Sequence, residues 1–347
     1  MNLDKRVRAQ DRHVWMDLLR GLAILLVILD HAADQVTSNT GSPLFGVTTF
    51  NDAISPFRMA TLMFLSGFLL PRSLAKPHSE FVFGKLGRIG WPYLVWSGVI
   101  LGLIAATSSL SGNTSVDLHQ VLRIFYNPPS YLWYLAYLLI FYLVSLFLPT
   151  VVRSLLIPVA LVASQLLQDQ DEWQRMLFLF SFFLAGDLIA RSGNLLGAMV
   201  VSWPVMITAS LIATTTAAFA ALKIPVRYEA IWAPGTAAGV LILVALSMLV
   251  QSRPFGRWVA KYGQHSIVFY VTHWSAILIT FNVLVRVGVS NIWVLFFASL
   301  AAGLFVGFLF VWAQRRWQWV GYLFHLPLVS LWRSLRGAKT QQSRAAE

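Results

Sequence analysis

The chain has 347 residues, of which 57% are hydrophobic and only 12% charged, and its mean hydropathy is +0.67. A soluble domain needs a larger polar fraction to cover its surface, whereas lipid accepts an apolar exterior, so the composition excludes a water-soluble enzyme. The net charge is +12, from 26 Lys and Arg against 14 Asp and Glu. Cysteine is absent, which excludes a thiolate nucleophile, a disulfide and a thiolate metal site.

Apolar segments lie near 14–36, 55–75, 88–107, 131–149, 151–168, 175–191, 198–221, 230–251, 266–286 and 291–314. Each approaches the ~20 residues that cross a hydrocarbon core as a helix. The sequence therefore predicts an all-α, polytopic membrane protein of about ten transmembrane helices without a soluble domain. Pro158 is expected to interrupt the fifth span, and Asp187 sits in the sixth. With the N-terminus inside, 19 of the 26 Lys and Arg fall on the cytoplasmic side and six outside, leaving Arg20 in the membrane. This is the positive-inside pattern, supplemented by attraction to anionic lipid, and it replaces a nucleic-acid reading of the basicity. It predicts both termini cytoplasmic in a plasma or inner membrane. No cleavable signal peptide is expected, because the first span is long and lacks a small-residue cleavage site.

The first span carries Asp17, Arg20, Asp30 and His31 within it or at its edges. Charges in hydrocarbon cost a few kcal/mol each, so they mark a working site more often than an anchor. Arg20 and His31 are eleven residues apart, about three helical turns, which sets them on one face with about 16 Å of rise between them. Asp17, Asp34 and Gln35 fall on the same stripe, with Asp30 further round. The outer loops 37–54 and 108–130 are rich in Gly, Ser, Asn and Pro and read as ordered turns or short lids.

In the second span, the Ser66-Gly67 pair permits close approach by another helix or a ligand, and packing is the favoured account. Lys85-Leu86-Gly87-Arg88-Ile89-Gly90-Trp91-Pro92-Tyr93 opens the third span. It reads equally as a snorkelling topology signal and as a phosphate cradle facing the cytosol. Trp133 belongs to an aromatic run, Tyr131 to Tyr137, that suits an interface belt more readily than a sugar platform. Asp187 precedes Arg191 by four residues, the spacing of a local ion pair. In the ninth span Ser266, Tyr270 and His273 share one helix face. After the last span, Arg315 to Arg336 mixes aromatic and basic residues and reads as an interfacial helix, and the tail from Gly337 as disordered. The expected organisation is a basic N-terminus (1–13), a membrane domain (14–314), and an interfacial helix with a cytoplasmic tail (315–347).

Taken in order, these residues resemble one family. Asp17-x-x-Arg20-Gly21 with His31, Phe64-Leu65-Ser66-Gly67-Phe68-Leu69, Arg88 with Pro92-Tyr93, Leu132-Trp133-Tyr134-Leu135, and Ser266 to His273 are similar to the integral-membrane acyltransferase family 3. Two departures are Asp30 before His31, where the family usually has an uncharged residue, and Trp-Tyr-Leu in place of Trp-Phe-Leu. The resemblance implies transfer of an acyl group, commonly acetyl, from cytosolic acyl-CoA to a hydroxyl of a carbohydrate or lipid-linked acceptor, as in polysaccharide O-acetylation. No metal cofactor is expected and, unlike in some relatives, no fused extracytoplasmic hydrolase-like domain.

Physics and resemblance together assign roles. A neutral His31 imidazole can act as general base or carry the acyl group, with Asp30 or Asp34 orienting its ring. Arg20, Lys85 and Arg88 would hold the CoA phosphates or the thioester end. Asp17 pairs with Arg20, while Ser66, Gly67, Trp133, Ser266, Tyr270 and His273 support the site. The alternative is a carrier or flippase for a proton, ion or lipid-linked saccharide, since Asp, Arg and His at membrane depth also build proton relays. No matching pair of interrupted helices in the two halves favours that alternative. A metal site from Asp30, His31, Asp34 and His273 would need distant helices to converge.

Overall fold

A computed structural model describes residues 14–110, 122–167 and 170–334. The basic stretch 1–13, the middle of the 108–130 loop and the tail from Gly337 lie outside the described residues. The described residues are helical, with no strand among them. Seven helices are long and apolar enough to cross a membrane, and Thr150–Leu166 is apolar but shorter. The expected ten spans are thus met in part. The two N-terminal helices, Val14–Thr40 (α1) and Val47–Phe68 (α2), fall outside the seven. They carry Asp17, Arg20, Asp30, Asp34, Asp52 and Arg58, which dilute an otherwise apolar composition. Large apolar side chains face outward along the spans, as in Phe147 (80% exposed), Leu166 (78%) and Trp203 (73%). Such a surface fits lipid and not water.

After α2 come Leu70–Leu74 (α3) and His78–Lys85 (α4), a π-helical turn at Leu86–Gly90, and Trp91–Leu110 (α5). Pro92 explains the wide turn: it lacks an N–H and its ring crowds the carbonyl four residues back, so regular α geometry cannot run through. Trp133–Phe147 (α6), Thr150–Leu166 (α7) and Asp171–Arg191 (α8) follow. Pro158 lies inside a continuous α7, contrary to the expected break. The predicted seventh span divides at Ser202 into Leu195–Val201 (α9) and Trp203–Ala221 (α10). Ala233–Val250 (α11), Pro254–Gln264 (α12), Ser266–Arg286 (α13) and Ile292–Arg316 (α14) complete the bundle. The Asn291 side chain caps α14 by accepting from the Trp293 and Val294 amides at 3.0 and 3.2 Å. The second span begins at Val47 rather than 55, which shortens the first outer loop.

Helix α1 is the hub, packing against α2, α11, α12, α13 and α14. Two of its surroundings depend on missing side chains. A Cβ on Gly263 would run into the Asp17 carbonyl oxygen, so α12 lies directly on the backbone of α1. A Cβ on Gly67 would enter the Phe183 carbonyl, and one on Gly186 the Phe64 carbonyl, so α2 and α8 cross at the same intimacy. The packing account of the Ser66-Gly67 pair therefore holds for Gly67.

The stretch from Arg315 does not form a single interfacial helix. After α14 it makes a short helix, Gln318–Gly321 (α15), turns, and is helical again at 328–334. It folds back onto the π turn. The Leu326 amide donates to the Gly87 carbonyl at 3.0 Å, and the Trp91 and Trp96 indoles donate to the Tyr322 and Leu323 carbonyls at 2.5 and 3.2 Å. Phe324 is buried against Trp96 and Phe310.

The Asp187–Arg191 pair forms with Nη2–Oδ2 at 2.8 Å, and Arg153 of α7 joins it from its Nε at 3.0 Å. The charge pattern assigned Arg153 to the cytoplasmic side, yet its side chain is buried, because a fully buried carboxylate draws it in. Asp187→Ala leaves Arg153 buried and uncompensated and is expected to cost about 3–5 kcal/mol. Arg191→Ala should cost clearly less, since Arg191 is the more exposed partner and Arg153 remains. Thermal unfolding of the detergent-solubilised protein measures both, and equal melting temperatures would contradict the shared-carboxylate arrangement.

Candidate active site

The stripe on α1 leads to two different environments. At its inner end Arg20 lines a cavity of about 310 Å³ with Ser66, Lys85, Arg88, Ser266 and Tyr270. Residues from α1, α2, α4, the π turn and α13 thus converge where the sequence grouped Arg20, Lys85 and Arg88. Asp17 stands 3.8 Å from Arg20 Nη1, a loose pairing that leaves the guanidinium fork able to reach an anion. The Lys85 ammonium lies 3.2 Å from the Tyr142 ring centroid and donates to Ser73 Oγ at 3.2 Å. The ring quadrupole holds the cation in an apolar setting. Tyr142 in turn donates to the Ser66 carbonyl at 2.8 Å. The Ser66 hydroxyl donates to the Leu62 carbonyl at 2.8 Å, which leaves it a poor nucleophile and a good spacer.

One residue carries the inner cavity to the histidines. Tyr270 lines that cavity, and its ring centroid is 6.0 Å from that of His273. His273 is fully buried, and its ring lies 5.2 Å from His31. Trp274 and Tyr131 close the frame around His31 at 5.1 and 6.1 Å. A carbonyl only accepts, so the 3.1 Å contact between His273 Nδ1 and the Phe269 carbonyl puts the proton on Nδ1. That leaves His273 Nε2 as a buried acceptor with no hydrogen-bond partner. An unmet polar atom at the centre of a bundle invites a donor from outside the chain.

Tyr131 was read as part of an interface belt, but it is buried and structural. Its hydroxyl donates to the Val271 carbonyl at 2.6 Å, and the Tyr270 hydroxyl donates to the Tyr131 carbonyl. This reciprocal clasp ties α13 to the start of α6. Just before it, Ser130 has φ of 50°, a conformation L-residues seldom adopt, after the Pro128-Pro129 pair. Trp133 faces a third region, an outer cavity of about 470 Å³ shared with Tyr137, Glu172, Asn127, Arg123 and Arg175. The Arg175 guanidinium sits 4.3 Å from the Trp133 ring centroid.

The two carboxylates expected to orient His31 are engaged elsewhere. Asp30 Oδ2 is 2.8 Å from Arg58 Nη2, and Arg58 Nη1 also donates to the Leu26 carbonyl at 3.1 Å. Asp34 is exposed and accepts from Ser38 Oγ at 3.0 Å. Arg58 was assigned to an outer segment, but it is buried in α2, because the Asp30 carboxylate one turn of packing away compensates it. Arg58, Tyr131 and Trp274 are the residues that helix-by-helix reading missed. Only Trp274, adjacent to His273, carried a signal. Among the described residues, no group of three or more His, Cys, Asp or Glu stands together as a metal site would require. Outside the spans, burial and then the nearby Arg88 charge hold His325 below the ordinary histidine pKa.

The cation-lined cavity and the histidine pair meet at Tyr270, which lines the first and packs beside the second. A family model described as an acyltransferase domain, acyltransferase family 3, matches residues 13–312. The chain belongs to this family. It is a membrane acyltransferase, and the carrier reading of its charged helix falls away. Neither the curated proteins nor the solved structures offer a match.

The engagement of Asp30 generates a prediction. Asp30→Ala and Arg58→Ala should each destabilise the protein, and the double variant should be less damaged than their sum, with a coupling of about 0.5–3 kcal/mol. Asp34→Ala should alter stability by no more than about 0.5 kcal/mol. A double-mutant cycle on thermal unfolding tests this, and additive effects would release Asp30 for a role at His31.

Proposed function

We propose that the enzyme transfers an acyl group, most simply acetyl, from cytosolic acyl-CoA to a hydroxyl of a carbohydrate or lipid-linked acceptor on the outer side of the membrane. The observation that supports this reading is the adjacency of the cavity lined by Arg20, Lys85 and Arg88 to His273 and His31, with the Tyr270 ring between them. The three cations suit an anionic donor, with arginine gripping through its planar fork. His31 removes the proton of the acceptor hydroxyl as its oxygen attacks the thioester carbonyl. The carbon–sulfur bond breaks, an ester forms, and the thiolate leaves and takes up a proton. His273 Nε2 accepts a hydrogen bond from the incoming hydroxyl or from the His31 ring. The outer cavity is the acceptor's seat: Trp133 and Tyr137 offer apolar faces to a sugar ring, while Glu172 and Asn127 bond its hydroxyls.

In this reading the chain crosses the membrane ten times, the two charged N-terminal helices and Thr150–Leu166 joining the seven apolar spans. Both termini are then cytoplasmic in a plasma or inner membrane, as the 19-to-6 division of basic residues favours. Reporter fusions after Glu347 and within the 108–130 loop should report opposite sides, and equal sidedness would sink the ten-span topology.

His31→Ala should lower acylation of the acceptor in vesicles by about 10²–10⁴-fold at matched expression, the usual weight of a positioned base. Arg20→Lys should also be strongly impaired, because lysine keeps the charge and loses the fork. Full activity in His31→Ala would move the base to His273. Full activity in Arg20→Lys would reduce Arg20 to a partner for Asp17.

A further inference from the structure

Beyond the cavity at Arg20 lies a second one, of about 500 Å³, which shares Lys85 and Arg88 with the first. One wall is α3 and α4 with the turn between them. The other is the returning segment 325–333, which lies outside the residues matched to the acyltransferase family. Its charged and titratable lining is unbalanced: Lys76, Lys85, Arg88, Arg333 and His325 stand against the single carboxylate of Glu80. Arg333 is anchored to that carboxylate through its Nε and Nη2, at 3.1 and 2.6 Å. Lys76 is exposed and bears on the open side.

The returning segment is built to stand here. Its Leu326 amide donates to the Gly87 carbonyl, and a Cβ on Gly87 would collide with the Leu326 carbonyl oxygen. The glycine of the π turn thus lets the segment lie against the cation cluster. Apolar surface from Phe83, Pro327 and Leu328 faces the same space. A cluster of cations beside a flat apolar wall is suited to a phosphorylated ligand that also carries an aromatic ring, since Arg and Lys meet phosphate oxygens and an apolar wall receives the ring. A free thioester arm, neutral along its length, has no use for Lys76 and Arg333.

We propose that this inner cavity seats the phosphorylated nucleotide end of the thioester donor, with Lys76 and Arg333 as phosphate contacts and the 325–333 segment as part of the binding site. The assignment rests on the acyl-CoA reading above. The donor's arm then runs past Lys85 and Arg88 into the cavity of Arg20 and Tyr270, so the two shared cations stand at the joint between nucleotide and arm.

Titration calorimetry of the intact, detergent-solubilised chain with CoA, and separately with a pantetheine thioester lacking the nucleotide, tests the assignment. The wild type should prefer CoA by at least roughly tenfold, the equivalent of one charged contact. In Lys76→Ala/Arg333→Ala that preference should collapse to within about threefold. Glu80→Gln removes the opposing negative charge and should tighten CoA binding, a gain that misfolding cannot mimic. An undiminished preference in the double variant, or no gain in Glu80→Gln, overturns the nucleotide assignment while the wild type's preference keeps the donor reading standing. A wild type that fails to bind CoA overturns both.

Discussion

A carboxylate carried into hydrocarbon has to find a cation, and the helices of this protein are arranged around that need. Asp17 finds Arg20 on its own helix, Asp30 finds Arg58 across the α1–α2 contact, and Asp187 gathers Arg153 and Arg191. The Asp30–Arg58 bridge stands nearest the proposed site. Arg58 bonds the Leu26 carbonyl as well, so it fixes both the rotation and the height of α1 against α2 immediately before His31. With that rotation fixed, His31 meets His273 and Trp274 of α13 and the Tyr131 ring before α6. The glycine crossing of α1 with α12 holds the other half of the hub at backbone distance. Charge compensation and missing side chains thus set the helix positions, and the histidine pair occupies the place they leave.

Much of the site was legible along single helices. The eleven-residue interval from Arg20 to His31, the Lys85–Tyr93 cluster and the Ser266–Tyr270–His273 face are periodic or compact features of the chain. Helical geometry converts such features into shared faces without reference to any neighbour. What failed was pairing between helices. Asp30 looked like an orienting group for His31 because the two are adjacent in sequence, yet adjacent residues on a helix point about 100° apart, and Arg58 took the carboxylate. Tyr131 looked like a belt residue because aromatics at span ends generally are, whereas the strained Ser130 backbone turns it into the bundle. Helix counting was limited by a similar cause. The two N-terminal helices carry Asp17, Arg20, Asp30, Asp34, Asp52 and Arg58, and those charges weaken the signal that marks a span.

The segment after Arg315 shows the same limit in another form. Its composition fits a helix lying on lipid, and composition is blind to an alternative partner such as the π turn at Leu86–Gly90. Indole donors at Trp91 and Trp96 seek acceptors near the apolar edge, and the Tyr322 and Leu323 carbonyls supply them. Once those bonds form, Phe324 is buried against Trp96 and Phe310 and the chain turns back onto the bundle.

If transfer runs across the membrane as proposed, the clasp between Tyr131 and Tyr270 has a further consequence. Each hydroxyl is spent on a backbone carbonyl, and the two rings pack beside the histidine pair between the inner and outer cavities. The layer consists of packed rings whose hydroxyls are already bonded to backbone, a poor path for a file of water. Under the proposed transfer, an acyl group passes this layer by changing covalent partners while an ion meets a low-dielectric barrier, and each leaked charge would forfeit about 2.3 kcal/mol per 100 mV.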